Sequence, residues 1–175
     1  MSRKPLLAAL AAAFALSVGV VSVAQAVQTK VYFPNKEHPS FSLVVPDGWD
    51  LQPAEDKGGF MSVTGPTGIL LSMRTVSAKG DELKDAEEES IQWIKDNYND
   101  LAPVQEPQET KEAGHDAILL SFTAKDKSDG HKVAIIMELV VLNENTVADI
   151  QAFIDAGDKE GVAGISKIMD TFTVH

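Results

Sequence analysis

Asp116-Ala-Ile-Leu-Leu-Ser-Phe-Thr-Ala124 and His131-Lys-Val-Ala-Ile-Ile-Met-Glu-Leu-Val-Val-Leu142, joined through Asp126-Lys-Ser-Asp-Gly130, are the two strongest strand signals in the chain. The apolar runs have strand length and strand composition, and Asp129-Gly130 supplies turn chemistry, so together they read as a long central hairpin. Their apolar residues occupy successive positions, as in Ile118-Leu119-Leu120 and Ala134 to Met137, instead of alternating with polar ones. A strand that is apolar on both sides has to be covered on both sides. The hairpin therefore predicts the middle layer of a domain with other elements packed on each face.

Working outward, Phe41-Ser-Leu-Val-Val-Pro-Asp-Gly-Trp49 reads as a strand that ends abruptly. Phe41, Leu43 and Val45 share one face, Pro46 removes a donor, and Asp47-Gly48 turns the chain. Trp49 then arrives as a large apolar body suited to plug the core. Lys30 to Phe33 is a β-prone run broken by Pro34, an edge strand or hairpin arm. Residues 50–59 read as a polar loop. Phe60 to Thr64 and Ile69 to Val76 read as strands joined by Gly65-Pro-Thr-Gly68 into an antiparallel hairpin. Residues 102–114 are polar and punctuated by Pro, which suits a loop leading into a solvated edge strand.

Two segments carry the helical period. From Asp81 to Leu101, Leu83, Ala86, Ser90, Ile94 and Leu101 fall on one stripe, with Ile91, Trp93 and Tyr98 at its margins. Asp81 and Glu82 suit the positive end of the helix dipole, and Pro103 ends the helix. Glu87 is the misfit, lying close to the apolar stripe. It reads as a rim residue whose carboxylate reaches solvent, against the alternative of a buried functional acid. The second helix covers about 158–172, capped by Asp158, with Val162, Ile165, Ile168, Met169 and Phe172 at helical spacing. It supplies the cover for the second face. Between hairpin and helix, Thr146 to Ile154 is ambiguous, a short helix by pattern or a further strand by length.

With its elements in this order the chain resembles the PsbP-like superfamily, which includes the PsbP subunit of photosystem II, the Mog family of Ran-binding proteins and the DcrB envelope proteins. The residues that carry the resemblance are Phe41 to Trp49, the Gly65-Pro-Thr-Gly68 turn, the single helix after the early strands, the hairpin with Asp129-Gly130, and Ile168-Met-Asp-Thr-Phe172 at the end. The resemblance implies an α+β fold, an α/β/α sandwich around a central antiparallel sheet of about six strands, with helices at about 81–101 and 158–172. It also implies that Thr146 to Ile154 is a strand. The function it implies is binding or assembly, without enzymatic activity. The chain departs from the DcrB-like lipoproteins in having no cysteine for lipid attachment.

Residues 1–26 read as an export signal: Arg3 and Lys4 lead an apolar run from Leu6 to Val23, and Ala24-Gln25-Ala26 forms the cleavage site. Cleavage is the expectation; retention as an anchor is the alternative. Of 175 residues, removing 26 leaves 149, the size of one domain spanning 27–175. The expected location is the periplasm, as a soluble protein and not a lipoprotein. The formal charge of −11 becomes −13 without Arg3 and Lys4. A surface so acidic disfavours nucleic acid and anionic lipid as partners. With no cysteine, disulfides, thiolate catalysis and cysteine-held metals are all excluded.

No complete catalytic set is present. There is no Gly-x-Ser-x-Gly nucleophile turn, and Gly65 to Gly68 is followed by a strand without the Lys-Ser/Thr of a phosphate loop. His38, His115, His131 and His175 lack helical i, i+4 spacing and read as surface residues near turns. Asp126, Asp129 and His131 form a weak candidate for a divalent metal. Glu87-Glu88-Glu89 point in different directions around the helix and read as a solvated face. Trp49 and Trp93 are the residues to consider for a partner surface, although core packing is the ordinary role of a tryptophan. The expectation is a non-enzymatic exported protein without a cofactor, which binds an envelope protein or assists its assembly. The alternative is a binder of a small ligand or divalent cation in a cleft between sheet and helix.

Overall fold

The computed structural model describes residues 28–54, 59–78 and 82–175. The export-signal segment and Asp81 lie outside the described residues. The central hairpin forms as read: β8 (His115–Asp126) pairs antiparallel with β9 (Lys132–Asn143), Leu120 opposite Met137 and Phe122 opposite Ile135. Thr146–Asp155 is a strand, β10, nearly all buried, and it pairs with β9 and with β5 (Leu70–Ser77). Local pattern left helix open for this stretch. Its place between two strands of the sheet, with backbone partners on both sides, fixes it as strand.

The central sheet is antiparallel and has eight strands, in the order β3-β4-β5-β10-β9-β8-β6, with β7 also paired to β8. The count exceeds about six because short edge strands join it. β3 (Asp50–Gln52) lies inside the stretch read as loop and pairs with β4 (Met61–Thr64). β6 (Tyr98–Pro103) and β7 (Gln108–Glu112) meet β8 at different points along its length. The first helix, α1, runs Glu82–Asn97, shorter than the read span of 81–101. Tyr98 to Leu101 leave it as the start of β6, because Tyr98 and Asn99 pair with Asp126 and Lys125, and Asp100 and Leu101 follow in an irregularity of the strand where Asp100 takes φ +52°.

α1 covers one face of the sheet with the stripe expected of it. Ala86, Ser90 and Ile94 are fully buried, over Val76, Leu120, Phe122, Ile135, Met137 and Phe153. The other face corrects the sequence reading. The final helix, α2 (Lys159–Met169), does not cover it alone; a separate three-stranded sheet, β1-β2-β11, shares the task. Its strands are β1 (Gln28–Phe33), β2 (Phe41–Pro46) and β11 (Thr173–Val174). An eleven-residue helix with a narrow apolar stripe is too small for this face. The gap is filled by Phe33, Phe41 and Phe172, whose rings lie 5.0 and 5.3 Å apart in sequence, together with Val31, Leu43 and Val45. Phe172, read as the end of the helix, follows it and joins this cluster. The result is an α+β sandwich with two cores, one on each side of the central sheet.

Candidate functional site

Trp49 is placed by the local chemistry that ends β2. Pro46 has no N–H to give the sheet, and Gly48 at φ +84° lets the chain reverse, a conformation costly for a side chain with a Cβ. The turn brings the indole, half-buried, onto the core beneath the three-stranded sheet. It lies flat against Gly65, where a Cβ would stand 2.6 Å from the indole Cζ2. The Gly65-Pro66 turn and Trp49 therefore depend on each other. The indole also lines a cleft of about 480 Å³, with Pro46, Pro66 and Ile69 on one side and Gly161 and Gly164 of α2 on the other. Asp158 caps α2 by accepting from the Gly161 N–H at 2.8 Å, and Asp47 and Glu160 also line the cleft. The arrangement offers an apolar slot with an acidic rim, suited to seat a side chain from another molecule.

Trp93, the other tryptophan singled out by sequence, lies at the margin of the α1 core. Its ring packs 4.9 Å from Phe60 and 6.2 Å from Phe153. The two tryptophans are thus on different cores, and the structure does not bring them into one surface.

Asp126, Asp129 and His131 do come together at the β8–β9 turn, but each is already engaged. Asp126 accepts from the N–H and hydroxyl of Ser128, which hold its carboxyl below the usual range. Asp129 accepts from the His131 backbone N–H at 3.0 Å, and His131 Nδ1 lies 2.6 Å from the same oxygen. These contacts hold the Asp129 carboxyl low and push the His131 imidazole up. Among the described residues no group of three or more His, Asp and Glu side chains is arranged to hold a metal ion. His115 stands at the far end of the same hairpin with Nδ1 against the Val141 carbonyl, and His175 Nε2 meets Ser42 Oγ at 2.8 Å.

The sequence reading missed a buried charge network under α1. Arg74 of β5 donates from Nε to Asp149 of β10 at 3.0 Å and from Nη1 to Glu89 at 2.9 Å. Ser90 Oγ donates to the same Asp149 oxygen at 2.6 Å, and Gln151 Nε2 reaches both carboxylate oxygens. The guanidinium also lies over the Phe60 ring, 4.7 Å from its centre. The available signal was a charged residue in the middle of each strand, Arg74 in β5 and Asp149 in β10, flanked by apolar residues such as Met73 and Ile150. Buried charges are rare unless paired, so each implied the other.

A second buried acid lies on the opposite face. Glu138 of β9 is 8% exposed, and burial first, then the charge and hydrogen bond of Glu112, push its carboxyl up to about 7. Glu112 is itself raised, by burial first and then by the charge of Asp170. Tyr98, stacked on Phe153 at 5.2 Å, is pushed up to about 12 by burial and then by Asp126.

Comparison with solved structures bears on the whole arrangement. The cyanobacterial PsbP, CyanoP, of Synechocystis superposes with a TM-score of 0.63 at 10% identity, over 88% of this chain and 96% of CyanoP. The chain has the PsbP-like fold. LpqN of Mycobacterium tuberculosis, described as involved in cell envelope biogenesis, gives 0.60 at 16% identity over 85% of this chain and 90% of its own. A Pseudomonas aeruginosa protein of unknown function, described as a putative regulator, gives 0.51 at 12% identity, covering 83% of this chain and 97% of that one. No family model matches the sequence, and no curated protein matches it significantly. At these identities the likeness is one of fold.

Proposed function

We propose that this chain is an exported, non-enzymatic envelope protein of PsbP-like fold that binds another envelope protein and assists its assembly or stability, with the Trp49 cleft as the contact. The observation that carries the proposal is the cleft itself, in which a half-buried indole and two prolines face a helix flank made bare by Gly161 and Gly164. A rigid aromatic against an open slot is the kind of feature that anchors protein contacts. The envelope role described for LpqN supports the location, as does the signal-like sequence at residues 1–26. Among the described residues no helix is long and apolar enough to cross a membrane.

The test is capture of partners from crosslinked envelope with the tagged protein and with Gly164→Leu. Nothing lies within 4 Å of a Cβ added at Gly164, so the leucine enters the cleft without disturbing the core. It also favours the helix over glycine. The expected result is one specific protein recovered with the native chain and lost with the variant. Recovery of no specific protein, together with a saturable thermal shift on adding a small molecule, sinks the proposal.

A further inference from the structure

Glu87, the residue that did not fit its helical stripe, lines a groove on the opposite face of the sheet from the Trp49 cleft. The groove has a volume of about 390 Å³ and runs between α1 and the segment Pro103–Pro107 that links β6 to β7. Leu120, Phe122 and Ile91 contribute apolar surface to it. Glu87 stands on the helix wall and Glu106 on the loop wall, and no lysine, arginine or histidine is among the lining residues. Neither carboxylate has a hydrogen bond or an ion pair with any described residue. The loop wall is held by prolines at both ends, which limits its backbone freedom, and Val104 N–H donates to the Ser121 carbonyl at 2.9 Å. Val104 itself is 61% exposed, a large apolar side chain left on the rim.

We infer that this groove is a second binding site, for a polypeptide segment in which an apolar side chain is flanked by lysine or arginine. An apolar residue seated on Leu120 and Phe122 carries its neighbours to the two walls, where Glu87 and Glu106 are the acids available to meet them. The two carboxylates face the groove without a counter-charge among the described residues, and a partner with positive charge on each side of an apolar anchor supplies one to each. A small amphiphilic amine brings one charge and leaves the other acid unmet, so the two-walled geometry favours the peptide. The site is separate from the Trp49 cleft and does not depend on it.

The experiment is a titration of the isotope-labelled purified protein, followed by backbone amide NMR shifts, with a capped peptide Gly-Lys-Leu-Lys-Gly. Saturable shifts are expected at Ile91, Val104, Leu120 and Phe122. Because both acids lack partners among the described residues, the double variant Glu87→Gln with Glu106→Gln is expected to keep the fold. It is expected to bind the peptide about tenfold more weakly, as will the native chain in high salt. Gly164→Leu is expected to bind the peptide normally, which separates this site from the proposed partner cleft. The inference is overturned by the absence of saturable shifts, by shifts confined to other residues, or by equal affinity in the double variant. Equal binding of the peptide Gly-Glu-Leu-Glu-Gly also overturns it, and tighter binding of dodecyltrimethylammonium assigns the groove to small amphiphiles instead.

Discussion

Asp149 and Glu138 are acids on adjacent strands of one sheet, and they have opposite surroundings. Leu139 pairs with Asp149, so the two carboxyls stand one register step apart and project from opposite faces. Under α1, Asp149 is completely buried and receives Arg74, Ser90 and Gln151. On the other face, Glu138 meets Glu112, which in turn feels Asp170, and the charges that raise the two glutamates are all acidic. A charge taken from water has to be matched by a counter-charge and donors, or be removed by a proton. Asp149 meets a counter-charge and donors, whereas Glu138 meets another acid and its carboxyl is pushed up to about 7, within one step of the same ladder.

The largest test of this contrast removes the counter-charge. Arg74→Met keeps much of the stem volume and leaves Asp149 buried without its cation. Breaking such a pair from one side is expected to cost roughly 3–5 kcal/mol, measured as a fall in the urea midpoint at constant slope. A cost below about 1 kcal/mol at neutral pH would mean that Ser90 and Gln151 alone hold the carboxylate, and the contrast with Glu138 would narrow.

The next test is pH dependence. A carboxyl whose folded pKa is raised binds its proton more tightly in the native state than in the unfolded one. Between the ordinary glutamate value of 4.5 and about 7, stability contributed by Glu138 is therefore expected to fall as pH rises, and to be greatest on the acid side of that window. Glu138→Gln removes the ionisation and is expected to flatten this slope, gaining roughly 1–2 kcal/mol at pH 8 relative to the native chain. Asp126 and Asp129 act in the opposite sense, since their values are lowered, and their contribution is lost only at more acid pH. Denaturant midpoints measured from pH 4.5 to 8 for both proteins decide the matter; parallel curves would place the slope elsewhere.

A smaller effect separates the donors around Asp149. Ser90→Ala removes the 2.6 Å hydrogen bond to the carboxylate while leaving Arg74 in place. The helix itself prefers alanine, so the expected net loss is about 1–2 kcal/mol, read from the same midpoints. A neutral result would show that Arg74 suffices.

The layers of this fold were legible because they follow from periodicity. The non-alternating apolar runs at 118–120 and 134–137 demanded cover on both faces, and the stripe Ala86, Ser90, Ile94 supplied one cover correctly. The sequence was less informative about which elements share a face across long separations. Phe41 was read as a strand without a sheet to belong to, because a strand's pattern does not name its neighbour. Its pairing with β1 and β11 puts it in a second sheet, and the packing of Phe33, Phe41 and Phe172 follows from that. Ser90 was placed on the apolar stripe by its spacing, but spacing does not show that its hydroxyl meets a partner 59 positions away. The Trp49 turn was visible in full, since Pro46, Asp47 and Gly48 act locally. The slot it faces was not, because α2 comes from the other end of the chain.

The smallest effect marks where the buried network reaches water. Glu89 bonds Arg74 at 2.9 Å, as short a contact as the Asp149 bond, yet its side chain is 55% exposed against 0% for Asp149. Solvent stabilises the Glu89 carboxylate in the unfolded chain nearly as well as Arg74 does in the folded one, and salt screens what remains. Glu89→Gln is therefore expected to cost less than about 0.5 kcal/mol, and the loss is expected to vanish in 1 M NaCl. Arg74→Met is expected to keep most of its cost in the same salt, because the Asp149 bond is out of reach of ions. If Glu89→Gln costs as much as Ser90→Ala, exposure does not set the value of a contact here, and Arg74 is held as much from the helix as from the sheet.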